Sequence, residues 1–238
     1  MFLFYHICDK VKSVMIDMKN FFETYKNKAA LWCNANCDSG DLARCAEFVV
    51  ANKVRMLSVV PDSVATVWPW LEQEKIKILS RVYVADKKIT EKDISDITKI
   101  INDSFKHGAR GAQVFVPINE LENLVDMTYL VKDDLFFDKD LVLGLDIMQI
   151  NPFDWQNVFE NLQKINASAL MLVLLQDDGM KSDFVGRIYG MINAWNEQNK
   201  FDLHFLLGPD SVRIEQVLRL MEKLRPELIK NVKFFVKY

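Results

Sequence analysis

Asp146, Arg81 and His204 are the residues of this chain whose types could do acid–base work. A carboxylate and an imidazole can exchange protons, and a guanidinium supplies a fixed positive charge. Asp146 stands in an otherwise apolar run, Leu143-Gly144-Leu145-Asp146-Ile147-Met148, and a carboxylate is seldom buried without a partner. A second set reads as ligand-binding: Asn34, Asn36, Tyr83, Gln113 and Gln176. Asn34 and Asn36 fall on one side of a strand by its period of two.

Each has a plainer reading. Asp146 can form a salt bridge with Arg81 or cap a backbone N–H. His204 can be a packed histidine that faces a helix layer, and Asp177-Asp178-Gly179 reads as a solvated turn. Cys33 and Cys37, spaced C-x3-C, lack a second pair or a clustered histidine, so no metal site is expected. Nothing in the sequence implies a cofactor.

The elements that would position these residues alternate in type. A helix over residues 11–25, with Val14, Met15, Met18, Phe21 and Phe22 on one side, precedes a strand from Ala29 to Asn34. Asp38-Ser39 caps the next helix. Strands then follow at 55–60, 77–84, 112–116, 142–148, 169–175, 203–207 and 232–236, with helices between them. The stretch from Thr90 to Pro117 contains the repeat in full. Thr90 and Asp93 start a helix, Ile94, Ile97 and Ile101 give it one apolar stripe, and His107-Gly108 ends it. Ala112 to Val116 is then a short apolar strand stopped by Pro117. Pro69 should kink or shorten the helix predicted over 63–74.

Strands this apolar and this short imply a parallel sheet covered on both faces. Eight of them predict a (β/α)8 barrel forming one domain over residues 1–238, with 1–27 an N-terminal helical segment. No helix follows the last predicted strand. The helix before the first strand is expected to cover that gap, or a second subunit to do so in a homodimer. Barrel active sites form at the C-terminal strand ends, and the residues named above are candidates for that mouth.

Composition narrows the partners. A net charge of −3 and the lack of any basic run argue against nucleic acid. No apolar run approaches the roughly 20 residues needed to span a bilayer. The apolar opening, Met1 to Cys8, is too quickly followed by Asp9, Lys10 and Lys12 for a signal peptide. Reduced thiols and a cytoplasmic location are therefore expected.

Three segments resemble the deoxyribose-phosphate aldolase family, within the larger set of Schiff-base aldolase barrels. They are Met56-Leu57-Ser58-Val59-Val60-Pro61-Asp62-Ser63-Val64, His107-Gly108-Ala109-Arg110-Gly111-Ala112-Gln113-Val114-Phe115-Val116-Pro117, and more loosely Gly208-Pro209-Asp210-Ser211-Val212-Arg213. The resemblance implies a barrel fold and lyase chemistry through a lysine on strand six. That lysine's position falls on Met171, or at most Leu172. The family's second lysine falls on Leu206, its strand-four aspartate on Gln113, and its phosphate-binding segment beyond Tyr238. A Schiff base needs an amine, and glutamine does not exchange a proton near neutral pH. Two readings follow: an aldolase-like barrel without aldolase activity that acts in binding or assembly, or an aldolase-type lyase on a small carbonyl or sugar-phosphate compound with relocated catalytic groups.

Overall fold

The computed structural model describes residues 18–84, 88–127, 138–174, 181–196, 198–207 and 211–238. The predicted strands are all present: β1 (Ala29–Trp32), β2 (Met56–Val59), β3 (Lys77–Tyr83), β4 (Gly111–Phe115), β5 (Asp140–Asp146), β6 (Ala169–Val173), β7 (Asp202–Leu206) and β8 (Val232–Lys237). They pair in parallel, each with the next in sequence, and β8 closes the ring on β1 with Ala29 opposite Phe234 and Trp32 opposite Lys237. This is the expected (β/α)8 barrel.

Helical residues 18–25 form the described part of α1. After it come α2 (Ser39–Ala51), α3 (Pro61–Leu71), α4 (Glu91–Lys106), α5 (Leu121–Met127), α6 (Trp155–Ile165), α7 (Lys181–Ala194) and α8 (Ser211–Leu224). Side-chain capping decides several starts. Asp38 and Asp41 satisfy each other's backbone N–H groups at α2, and Thr90 and Asp93 do the same at α4, each a reciprocal capping box. Gly108 ends α4 at φ +107, and a Cβ there would lie 2.3 Å from the Trp68 ring. Pro69 is tolerated because it falls near the end of α3, which begins at Pro61 and stops at Leu71.

Period-two burial splits the strands between two cores. Leu31, Leu57, Ile78, Leu143, Leu145, Leu170, Leu172, Leu203, Phe205, Phe234 and Val236 face the helices. Ala30, Trp32, Leu79, Phe115, Val142, Ala169, Met171, Val173, Leu206 and Phe235 fill the lumen. The barrel is therefore a packed core rather than a pore.

α1 takes the place a helix after β8 would fill. Its Phe22 ring lies 5.2 Å from Phe48 of α2, and Tyr25 lies 6.1 Å from Phe234 of β8. Tyr25 also shares a cleft with Leu218 and Glu222 of α8. α1 thus covers the gap on the side of α2 and β8, while a cleft stays open between it and α8.

Several boundaries differ from those predicted. β1 stops at Trp32, so Asn34 and Asn36 lie in the loop beyond it rather than on one side of a strand. β5 ends at Asp146 because that carboxylate accepts a hydrogen bond from Met148 N and starts a 3-10 turn, Ile147–Gln149. Between β4 and β5 the chain opens with a 3-10 turn, Ile118–Glu120, before α5. Residues 11–17 and most of the acidic connection from Asp133 to Asp140 lie outside the described residues. Among the described residues, no helix is long and apolar enough to cross a membrane.

Candidate active site

The lumen is stacked in rings contributed by alternate strands. At the N-terminal end, Lys77 pairs with Asp140, and the Lys233 ammonium donates to the Asn27 carbonyl at 2.6 Å. Asp202, beside them, has its carboxyl pKa raised by burial, which the neighbouring Lys233 partly offsets. These charges form a polar plug below the apolar interior.

His204 lies just above that plug. Its strand neighbours are Met171 and Lys233, and its ring sits 5.4 Å from that of Phe235. It faces the lumen, not the helix layer. Neither ring nitrogen has a hydrogen-bond partner among the described residues. Burial pushes its pKa down to about 3, with Lys233 and Lys77 adding to the effect. A neutral imidazole is the stable form there, because burial penalises the charged one.

The next polar layer is a continuous chain of hydrogen bonds. Arg81 Nη1 donates to Ser58 Oγ at 3.2 Å, and Ser58 Oγ–H donates to Gln113 Oε1 at 2.5 Å. Gln113 Nε2 in turn approaches Met171 Sδ at 3.7 Å. Arg81 Nη2 donates to the Cys33 carbonyl at 2.7 Å, and its guanidinium carbon lies 3.9 Å from the centre of the Trp32 ring. Arg81 is only 2% exposed, and burial pulls its pKa down. No carboxylate lies within ion-pairing distance of it among the described residues, so carbonyl, hydroxyl and aromatic face carry its charge.

Aromatic packing closes the layer above. Phe115 meets Trp32 edge-on with centroids 5.6 Å apart and stacks on Tyr83 at 4.9 Å. The Phe115 ring occupies the space that a Cβ on Gly144 would need. Val173 and Leu206 complete this floor. Tyr83, 54% exposed, stands above it at the end of β3, where burial of its hydroxyl raises its pKa.

The three expected catalytic residues are therefore held apart. Arg81 donates to Ser58 and the Cys33 carbonyl, Asp146 accepts from Met148 N, and His204 lies deeper in the lumen with no hydrogen-bond partner among the described residues. The expected Asp146–Arg81 salt bridge is replaced by these separate contacts. The structure brings together Arg81, Gln113 and Ser58 instead. Asn34 uses its amide to hold the chain end, donating to the Tyr238 carbonyl at 2.6 Å, and Asn36 is exposed in the β1–α2 loop. Gln176, Asp177 and Asp178 lie outside the described residues. Among the described residues, no cluster of His, Cys, Asp or Glu is arranged to hold a metal ion.

Sequence reasoning missed two residues. Ser58 reads as a small strand residue, and only the register, which sets it opposite Trp32 and Leu79, makes it the link between Arg81 and Gln113. Lys237 shares the lumen-side parity of Lys233 and Phe235, but it extends β8 one residue past the predicted end at Val236. It is exposed and lies opposite Trp32 at the mouth. Counting by two from Phe235 would have found it.

In sequence, no protein-family model and no curated protein matches the chain. In structure it is similar to a protein assigned as a deoxyribose-phosphate aldolase from Coccidioides immitis, with a TM-score of 0.65 and 8% identity, covering 89% of this chain and 80% of that one. A tetrameric deoxyribose phosphate aldolase from Aeropyrum pernix gives 0.63 and 8%, over 89% and 85%. A protein assigned as the copper homeostasis protein CutC from Streptococcus agalactiae gives 0.60 and 8%, over 87% and 98%. The solved structures similar to this chain are thus aldolase-type and related barrels, and at these identities the likeness establishes the fold.

Proposed function

We propose that this protein is a ligand-binding barrel that keeps the aldolase scaffold without Schiff-base chemistry. The observation that supports this most directly is the packing of Met171. At the position where the family resemblance puts the reactive amine, a fully buried thioether sits against the Gln113 amide. A thioether cannot condense with a carbonyl group, and the neighbouring Leu172 faces the outer core. Gln113, at the position of the family's proton carrier, has both ends of its amide engaged by Ser58 and Met171. Arg81 places both of its terminal nitrogens on interior partners, with Nε unpaired among the described residues.

The mouth then offers an apolar floor of Trp32, Phe115, Val173 and Leu206, with Tyr83 and Lys237 exposed at the strand ends. A floor of this kind with few polar groups around it is the usual make-up of a small-molecule site. The open face of Tyr83 suits a flat ring, and the Lys237 ammonium suits a negative charge. A planar organic anion fits both. Titration with anilinonaphthalene sulfonate is the test. Tyr83→Ala and Lys237→Met should each weaken binding by about tenfold. Lys237→Met should leave the unfolding midpoint unchanged, since its side chain is exposed, whereas Tyr83→Ala also loses the stacking on Phe115. Unaltered affinity in both variants would sink the proposal.

Lys237 favours a second reading, in which the reactive amine has moved from strand six to the end of β8. It supports an aldolase-type lyase with relocated groups, and the two readings part on whether that amine traps a carbonyl compound.

A further inference from the structure

Three cysteines meet beside the mouth. Cys33 directly follows β1, Cys37 lies in the loop after it, and Cys45 comes from α2. Cys33 Sγ is 2.9 Å from Cys45 Sγ and 3.6 Å from Cys37 Sγ. Cys33 and Cys45 are buried and Cys37 is partly open. The Cys33 carbonyl also holds the Arg81 guanidinium. Cys45 lies on α2, apart in sequence from Cys33, so the cluster exists only in the fold. Three thiols this close to one another can undergo thiol–disulfide redox chemistry.

We propose that Cys33, Cys37 and Cys45 form a peroxide-oxidised site in which Cys37 is the entry thiol and a Cys33–Cys45 disulfide is the product. A sulfur next to a cation and other thiols is easier to ionise. The contact with Cys45 lowers the Cys33 pKa most, burial opposes it, and the Cys37 contact and the Arg81 charge lower it further. Cys37 is held up at about 11 by burial first and then by Cys33, and the Cys33 contact and burial hold Cys45 up as well. The resting thiolate is therefore Cys33, and Cys37 reacts once it has passed its proton to Cys33 across their 3.6 Å contact.

The steps balance. The Cys37 thiolate attacks one peroxide oxygen, the O–O bond breaks, and water leaves with a sulfenic acid on Cys37. Cys33 attacks that sulfur, the S–O bond breaks, and a second water leaves with a Cys33–Cys37 disulfide. Cys45 then attacks Cys33, and Cys37 departs as the thiolate and takes up the proton that Cys45 lost. In sum, two thiols lose two electrons and two protons, and one peroxide becomes two waters.

The test treats the full chain with one equivalent of hydrogen peroxide, blocks free thiols with an alkylating agent and maps the linkages by peptide mass. The expected product is a Cys33–Cys45 linkage with Cys37 alkylated. Cys45→Ser should stop at Cys33–Cys37, and Cys37→Ser should form its disulfide at least about tenfold more slowly. Oxidation of Cys37 to the sulfinic acid without a linkage would overturn the proposal. So would a linkage to Cys8, or a co-purified metal ion that blocks alkylation of all three thiols. Mapping of the unmutated chain decides the matter even if a variant fails to fold.

Discussion

Acidification from pH 7 to pH 4 should cost this protein about 3 kcal/mol of folding stability through His204 alone. The imidazole titrates at about 3 in the folded chain, against 6.5 as its ordinary value. The folded pKa is the lower one, so the unfolded chain binds the proton first as pH falls. Stability from His204 is complete above about pH 6.5 and declines by ~1.4 kcal/mol per unit down to about pH 3. Below that both states are protonated and the loss stops. The charges that face the ring are Lys233 and Lys77, and both oppose protonation.

His204→Leu removes the titration together with two ring nitrogens that have no hydrogen-bond partner among the described residues. The variant should be more stable than the parent by ~1–2 kcal/mol at pH 7. That advantage should widen by about 3 kcal/mol at pH 4. Urea denaturation of the two proteins across this range measures it. Parallel stability curves would mean that the ring is solvated or hydrogen-bonded in solution.

The second large effect concerns the floor of the mouth. A Cβ on Gly144 would lie 2.2 Å from Phe115 Cδ1 and 2.4 Å from Cε1, closer than any real contact. Gly144→Ala must displace a ring packed between Trp32 and Tyr83, at a cost of ~2–3 kcal/mol. Phe115→Ala leaves a cavity and costs ~3–4 kcal/mol. Combined, the second change removes the clash made by the first, so the double variant should be ~2 kcal/mol more stable than the sum of the two predicts. Additive losses would show that Phe115 does not fill the space above Gly144.

The barrel was legible in the sequence because its rule is local. Eight short apolar runs, each set off by a cap such as Thr90 with Asp93 or a stop such as Gly108, specify alternating strands and helices without long-range information. The strand-five boundary was less legible, because Asp146 reads as a functional carboxylate when its nearest partner is a backbone N–H two residues on. The site was harder still. Whether Arg81 meets Asp146, or meets Ser58 and the Cys33 carbonyl, depends on register around a closed sheet, and no local pattern encodes that. His204 shows the same limit: one residue of parity decides between helix layer and lumen. The thiol cluster needed α2 to bring Cys45 back over β1, which is tertiary information alone. Lys237 was different. It was readable from Phe235 by period two, had the last strand been extended by one residue.

Met171 in β6 and the exposed Lys237 at the end of β8 meet in one measurement. The protein is incubated with glycolaldehyde, reduced with borohydride and mapped by peptide mass, beside a Lys237→Met control. If Schiff-base chemistry is absent, Lys237 gains no more label than exposed lysines such as Lys19 and Lys106, and the control gives the same total incorporation. A stoichiometric adduct on Lys237 that disappears in the control would contradict this and establish a relocated reactive amine at the end of β8.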